Sequence, residues 1–186
     1  RIDQPETFFR KSAVDKMGLL NEDLHYCMDK EWLLRYLFIF GQDQCKNSDE
    51  IILNFRYHES SKSVAQQNKF TEEADNIYLA YANHLGDGKY INLIRGLISE
   101  ERDIQIPFER FDKKLLDQNL ADMLNYYLFK RFLEKYEELD FKKARILGAA
   151  IDRTKILPAD RVQLEKLFSR LKFPKWLINI GRRITR

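Results

Sequence analysis

Apolar residues recur at helical spacing along most of this chain. Phe70, Ala74, Ile77, Tyr78, Tyr81 and Leu85 fall on one side of a helix, and Gly86 and Gly88 end it. Leu116, Leu120, Met123, Leu124, Tyr127, Leu128 and Phe132 form a longer stripe of the same kind. Between them, Tyr90 to Ser99 reads as a short helix, and Pro107 opens a new segment. Asp140 is placed to cap a helix through Phe141, Ala144, Leu147 and Ile151. Pro158 stands where a first-turn proline belongs, ahead of Val162, Leu164, Leu167, Phe168 and Leu171.

The first 85 residues are less uniform. Residues 6–10 read as a short strand. Ser12 is placed to cap a helix over Ala13 to Met17, with Gly18 as its stop. Leu19 to Tyr26 is broken by polar residues and reads as a loop. Trp32 to Phe40 is almost wholly apolar apart from Arg35, which suits a helix buried on most sides, and Gly41 ends it. Glu50 to Tyr57 alternates imperfectly and is rich in Ile, Leu and Phe, so it reads as a strand before a polar loop at Ser60 to Val64. The expectation is an α+β, predominantly helical chain: residues 1–85 mixed, residues 89–186 an all-helical extension.

Composition narrows the classes. With 44% hydrophobic and 13% aromatic residues, the 186-residue chain is long and apolar enough for a core without metal or disulfide staples. Seven Gly and four Pro favour long helices over many turns. The net charge of +3 is concentrated at the end, where Arg170, Lys172, Lys175, Arg182, Arg183 and Arg186 follow one another with no acid between. The rest is slightly acidic, which argues against nucleic acid as a partner. Cys27 and Cys45 show no disulfide framework and read as reduced thiols. No run is apolar enough to span a bilayer.

Three stretches carry candidate chemistry. In Asp29-Lys30-Glu31-Trp32-Leu33-Leu34-Arg35, two carboxylates precede a buried helix that carries an arginine. Taken alone, this is a helix cap with Arg35 as its partner or reaching for the surface. In Phe55-Arg56-Tyr57-His58-Glu59-Ser60-Ser61-Lys62-Ser63, a strand end delivers an Arg and a His into a hydroxyl-rich cationic loop. Arg56, Lys62 and the hydroxyls suit phosphate oxygens, and His58 suits a metal; the plain alternative is a solvated strand end. The third stretch joins Gln4-Pro5-Glu6-Thr7-Phe8-Phe9-Arg10 to Met17-Gly18-Leu19-Leu20-Asn21-Glu22-Asp23-Leu24.

In this order, the stretches resemble family 2 of the inverting glycosyltransferases, over about the first 80 residues. The resemblance runs through Gln4 to Arg10, Gly18 to Leu24, Asp29 to Arg35 and Phe55 to Ser63. It implies the C-terminal, acceptor-side half of an α/β nucleotide-sugar-binding domain, followed by a helical bundle. It also implies that Asp29 is the general base that deprotonates an acceptor hydroxyl as that oxygen attacks the anomeric carbon. Where members commonly carry Glu-Asp, this chain has Met28-Asp29, so Asp29 carries the role alone. By the same resemblance Glu31 lies near the acceptor and Arg35 holds the helix or Asp29 in place. Arg56, Ser61, Lys62 and Ser63 bind the diphosphate, and His58 reaches the metal or diphosphate. The implied cofactor is a divalent metal, Mn or Mg, and the implied partners are a nucleotide-sugar donor and a glycan or lipid-linked acceptor.

No Asp-x-Asp metal motif occurs in the chain, and the opening Arg1-Ile2-Asp3 has no initiator Met. The expectation is therefore a chain lacking the donor-binding half and inactive by itself. The tail at 172–186, with Trp176 among cations, reads either as a terminal helix with a solvated basic end or as a peripheral membrane contact. The expected location is cytoplasmic, at the inner face of the plasma membrane if the tail binds lipid. The competing reading of residues 89–186 is a non-enzymatic helical interaction or homodimerisation module.

Overall fold

The computed structural model describes residues 7–51 and 65–173. Among these residues there are seven α-helices and no strand: α1 (Lys11–Met17), α2 (Met28–Phe40), α3 (Gln67–Leu85), α4 (Gly88–Arg95), α5 (Lys113–Glu137), α6 (Phe141–Ala150) and α7 (Pro158–Arg170). The helical class expected from the periodicity is what the described residues adopt. No helix among them is long and apolar enough to cross a membrane.

The strand expected at residues 6–10 is not formed over 7–10. These residues instead lead directly into α1, where the Arg10 carbonyl accepts the N–H groups of Ala13 and Val14. Arg10, not Ser12, holds the N-cap position, and Ser12 lies inside the helix. Of the strand expected at Glu50 to Tyr57, Glu50 and Ile51 are not in a strand and the remainder lies outside the described residues. The α/β character expected for residues 1–85 therefore has no support among the described residues.

Helix boundaries follow local chemistry. Gly18 and Gly41 end α1 and α2 with φ of 79° each, a region that favours glycine. Gly86 ends α3 in the left-handed conformation. Gly88, expected as part of the same stop, instead starts α4, because the Asp87 side chain accepts the N–H of Lys89. Asp112 and Asp140 cap α5 and α6 through the N–H groups of Leu115 and Lys143. Pro158 occupies the first turn of α7 as expected.

Helix α5 is the spine, and α2, α3, α4, α6 and α7 all pack on it. Leu120, Leu124, Leu128, Phe129 and Phe132 of α5 are almost completely buried. One apolar cluster runs from Leu24 to Leu171, so residues on both sides of the 85/89 boundary share a core. Inside it, Asp75 of α3 accepts the Tyr127 hydroxyl at 2.5 Å and pairs with Arg131 of α5 at 3.0 Å. Burial pushes the Asp75 carboxyl up against the pull of Arg131. Asn125 closes a reciprocal pair with the backbone of Asp152, at 2.9 and 2.8 Å. Both devices tie distant chain segments to α5.

Of the described glycines, Gly148 of α6 is the most tightly enclosed. A Cβ there would stand 2.5 Å from a ring carbon of Phe168 and 3.0 Å from one of Phe132. Gly148→Val is therefore expected to lower the stability of the fold by roughly 2 kcal/mol or more through overpacking. Urea unfolding of the two proteins measures this, and an unchanged midpoint would contradict the close packing.

Candidate active site around the start of helix α2

Helix α2 has two faces of different character. At 100° per residue, Asp29, Trp32, Tyr36 and Phe40 share one side, and Glu31, Arg35 and Phe38 share the other. Glu31, Arg35 and Phe38 are buried at 0%, 4% and 5% exposure, whereas Asp29, Trp32, Tyr36 and Phe40 are half-buried. Phe9 lies against the half-buried side, with ring centroids 4.6 Å from Trp32 and 5.6 Å from Tyr36.

The buried face is an anchor. Arg35 Nη2 and Nε reach the two oxygens of Glu31 at 2.5 and 3.1 Å, one turn apart on the helix. Arg35 Nη1 donates onward to the carbonyls of Met17 and Leu19, at 2.8 and 2.9 Å. Trp32 Nε1 donates to the Gly18 carbonyl at 2.9 Å, and Arg110 to the Lys16 carbonyl at 3.2 Å. Four successive carbonyls at the end of α1, which lack partners within that helix, are thus all satisfied by side chains. Gly18 suits this crowding, since a Cβ there would lie 3.2 Å from Arg110 Nη1.

This geometry corrects part of the sequence reading. Glu31, expected near the acceptor, is completely enclosed and pairs with Arg35. Burial raises its carboxyl pKa, opposed by the hydrogen bond and charge of Arg35. Among the described residues, the partners of Arg35 are Glu31 and the carbonyls at the end of α1, and not Asp29. Asp29 is not the cap either: Cys27 takes the N-cap position, with no side-chain cap of its own, and Asp29 stands in the first turn. Among the described residues the Asp29 carboxylate accepts a single hydrogen bond, from the N–H of Lys30 at 2.7 Å. Among the described residues it is the carboxylate of the motif with acceptor capacity left for another molecule.

The cap comes from elsewhere in the chain. Glu73 of α3, 2% exposed, accepts three consecutive backbone N–H groups: His25 at 3.0 Å, Tyr26 at 2.6 Å and Cys27 at 2.7 Å. Arg102 donates to the same carboxylate at 3.1 Å and to the Asp23 carbonyl at 2.7 Å. Burial acts to raise the Glu73 pKa, but these four donors together lower it. Sequence reading missed Glu73. The available signal was a charged residue three after Phe70 and four before Ile77, on the apolar face of α3.

Arg56, His58, Ser61, Lys62 and Ser63, the expected diphosphate and metal residues, lie outside the described residues, as does all of the tail beyond Phe173. Among the described residues no cluster of three or more His, Cys, Asp or Glu side chains is arranged to hold a metal. Compared with known proteins, the chain matches no family model, no curated protein and no solved structure.

The lowered pKa of Glu73 has a signed consequence. Its charged form is favoured by folding, so its contribution is complete above the ordinary value of 4.5 and is lost as pH falls through the lower folded value. The stability gap between the natural chain and Glu73→Gln should be constant from pH 7 to about pH 5 and shrink below that. Glu31 and Asp75, whose pKa values move the other way, are common to both proteins and cancel. Urea midpoints of the two proteins across this range measure the gap, and one that widens in acid would contradict the assignment.

Proposed function

We propose that this chain is the acceptor-side part of a nucleotide-sugar-dependent inverting glycosyltransferase, with Asp29 as the general base. The observation that carries the reading is the contrast within one motif. Glu31 and Arg35 are spent on each other in the core, while Asp29 keeps a half-buried carboxylate that, among the described residues, accepts a single hydrogen bond, on a helix fixed at its start and along its buried face. A base needs this combination of a set position and access to the proton it removes.

In the reaction, the acceptor hydroxyl gives its proton to Asp29 as its oxygen attacks the anomeric carbon. The bond from that carbon to the nucleotide diphosphate breaks, and the diphosphate leaves with the bonding pair. A divalent metal, Mn or Mg, would ease the leaving charge. Arg56, Ser61, Lys62, Ser63 and His58 remain the residues proposed for the diphosphate and metal, on the motif resemblance alone. The enzyme is proposed to act in the cytoplasm, at the inner face of the plasma membrane if residues 172–186 bind lipid. The acceptor is a glycan or lipid-linked hydroxyl.

A second reading, a non-enzymatic helical interaction or dimerisation module, draws on exposed apolar residues near the end of the chain. Ile146, Leu157 and Val162 are 51%, 64% and 65% exposed. The two readings separate at Asp29. In the enzyme complete with its donor-binding half, Asp29→Asn is expected to lower transfer by about 10²–10⁴-fold, the usual scale for a general base. Donor affinity, read by calorimetry, should be unchanged. Undiminished transfer would remove the base assignment and leave the interaction module as the better account.

A further inference from the structure

Asp29, the proposed base, stands on α2, but the groups that set the position of α2 belong to other parts of the chain. The loop ahead of the helix is fastened residue by residue. Glu73 holds the N–H groups of His25, Tyr26 and Cys27, and Arg102 bridges Glu73 to the Asp23 carbonyl. The Cys27 thiol donates to the Phe70 carbonyl at 3.2 Å. Arg102 is itself seated, because the Asn76 side chain accepts its backbone N–H at 2.7 Å and donates to the Glu100 carbonyl at 3.1 Å. Asp29 follows Cys27 by two residues, in the first turn of the helix.

We propose that Glu73 and Arg102 are positioning residues for the transfer step. Through the backbone of residues 23–27 they set where the Asp29 carboxylate stands against the acceptor hydroxyl. The inference rests on the transferase reading and extends it. Arg102 lies in the region beyond residue 89, so the helical region is part of the catalytic apparatus and not a separable appendage. Glu73 meets all three of these N–H groups, and Cys27 supplies no side-chain cap of its own. Replacing the Glu73 carboxylate by an amide removes its charge and one of its acceptor oxygens, which loosens its hold on these N–H groups and lets the start of α2 shift.

The test compares Glu73→Gln with Asp75→Asn in the enzyme complete with its donor-binding half. Asp75 is an equally buried carboxylate of α3, but its polar partners among the described residues are Tyr127 and Arg131 of α5. Both variants are expected to lower the melting midpoint. Glu73→Gln alone should lower kcat by about 10–100-fold, the scale of a misplacement of ~1 Å, with the donor KM unchanged. Amide hydrogen exchange at Tyr26 and Cys27 should also accelerate in Glu73→Gln and not in Asp75→Asn. A folded Glu73→Gln with normal kcat overturns the proposal, as does an equal loss of kcat in Asp75→Asn, which would mark a stability effect. If Glu73→Gln fails to fold, Arg102→Met, at the partly exposed edge of the clasp, is read in its place: a fall in kcat supports the proposal and a normal kcat overturns it. The two levels fail separately. Undiminished transfer in Asp29→Asn defeats the base assignment itself, whereas an inactive Asp29→Asn beside a fully active Glu73→Gln defeats only the positioning.

Discussion

The carboxylate of Glu73 is the contact on which the rest of the site depends. A buried carboxylate costs several kcal/mol in lost hydration, and it persists only where donors replace the water. Here the donors are three consecutive backbone N–H groups and a guanidinium. Those same N–H groups would otherwise be stranded where the loop turns inward to start α2. One side chain therefore solves two problems, its own desolvation and that of the loop. The solution fixes the entry of α2 relative to α3 with little freedom left.

The other end of the arrangement is built by the reverse logic. Where α1 stops, its carbonyls need donors, and Arg35, Trp32 and Arg110 supply them. The Glu31–Arg35 pair is the hinge between the two, since it neutralises the guanidinium that reaches back to Met17 and Leu19. Further along, the Asp112 N–H closes onto the Phe38 carbonyl at 2.9 Å, so α2 is also tied to the start of α5. The residues that look most chemical in the motif are mostly consumed by this framework. Asp29 is left over, on the opposite side of the helix, beside Trp32 and Tyr36.

The helices were legible because apolar periodicity and end signals act locally. Gly18, Gly41, Gly86, Asp140 and Pro158 do in the structure what their chemistry suggests. Failures arose where a distant group decided the outcome. Asp29 reads as a cap from its neighbours alone, but Glu73, more than 40 residues away in sequence, takes over the capping. Arg35 was expected to hold the helix or Asp29; its partner is Glu31, one turn away on the same face, because in a buried setting the nearest carboxylate wins. The short strand expected at residues 6–10 is not formed over 7–10 for a related reason: two phenylalanines flanked by polar residues say nothing about whether a partner strand is there to pair with them. Phe9 packs its ring on Trp32 and Tyr36 instead.

The central claim is that Asp29 is the group that meets the acceptor hydroxyl, and the most direct measurement is a crystal structure of the complete enzyme with acceptor and an unreactive donor analogue. The account predicts the reacting hydroxyl within hydrogen-bond reach of the Asp29 carboxylate, roughly 2.6–3.2 Å, with Glu31 still buried against Arg35. An acceptor hydroxyl held by another group, with the Asp29 carboxylate turned to solvent, would contradict it.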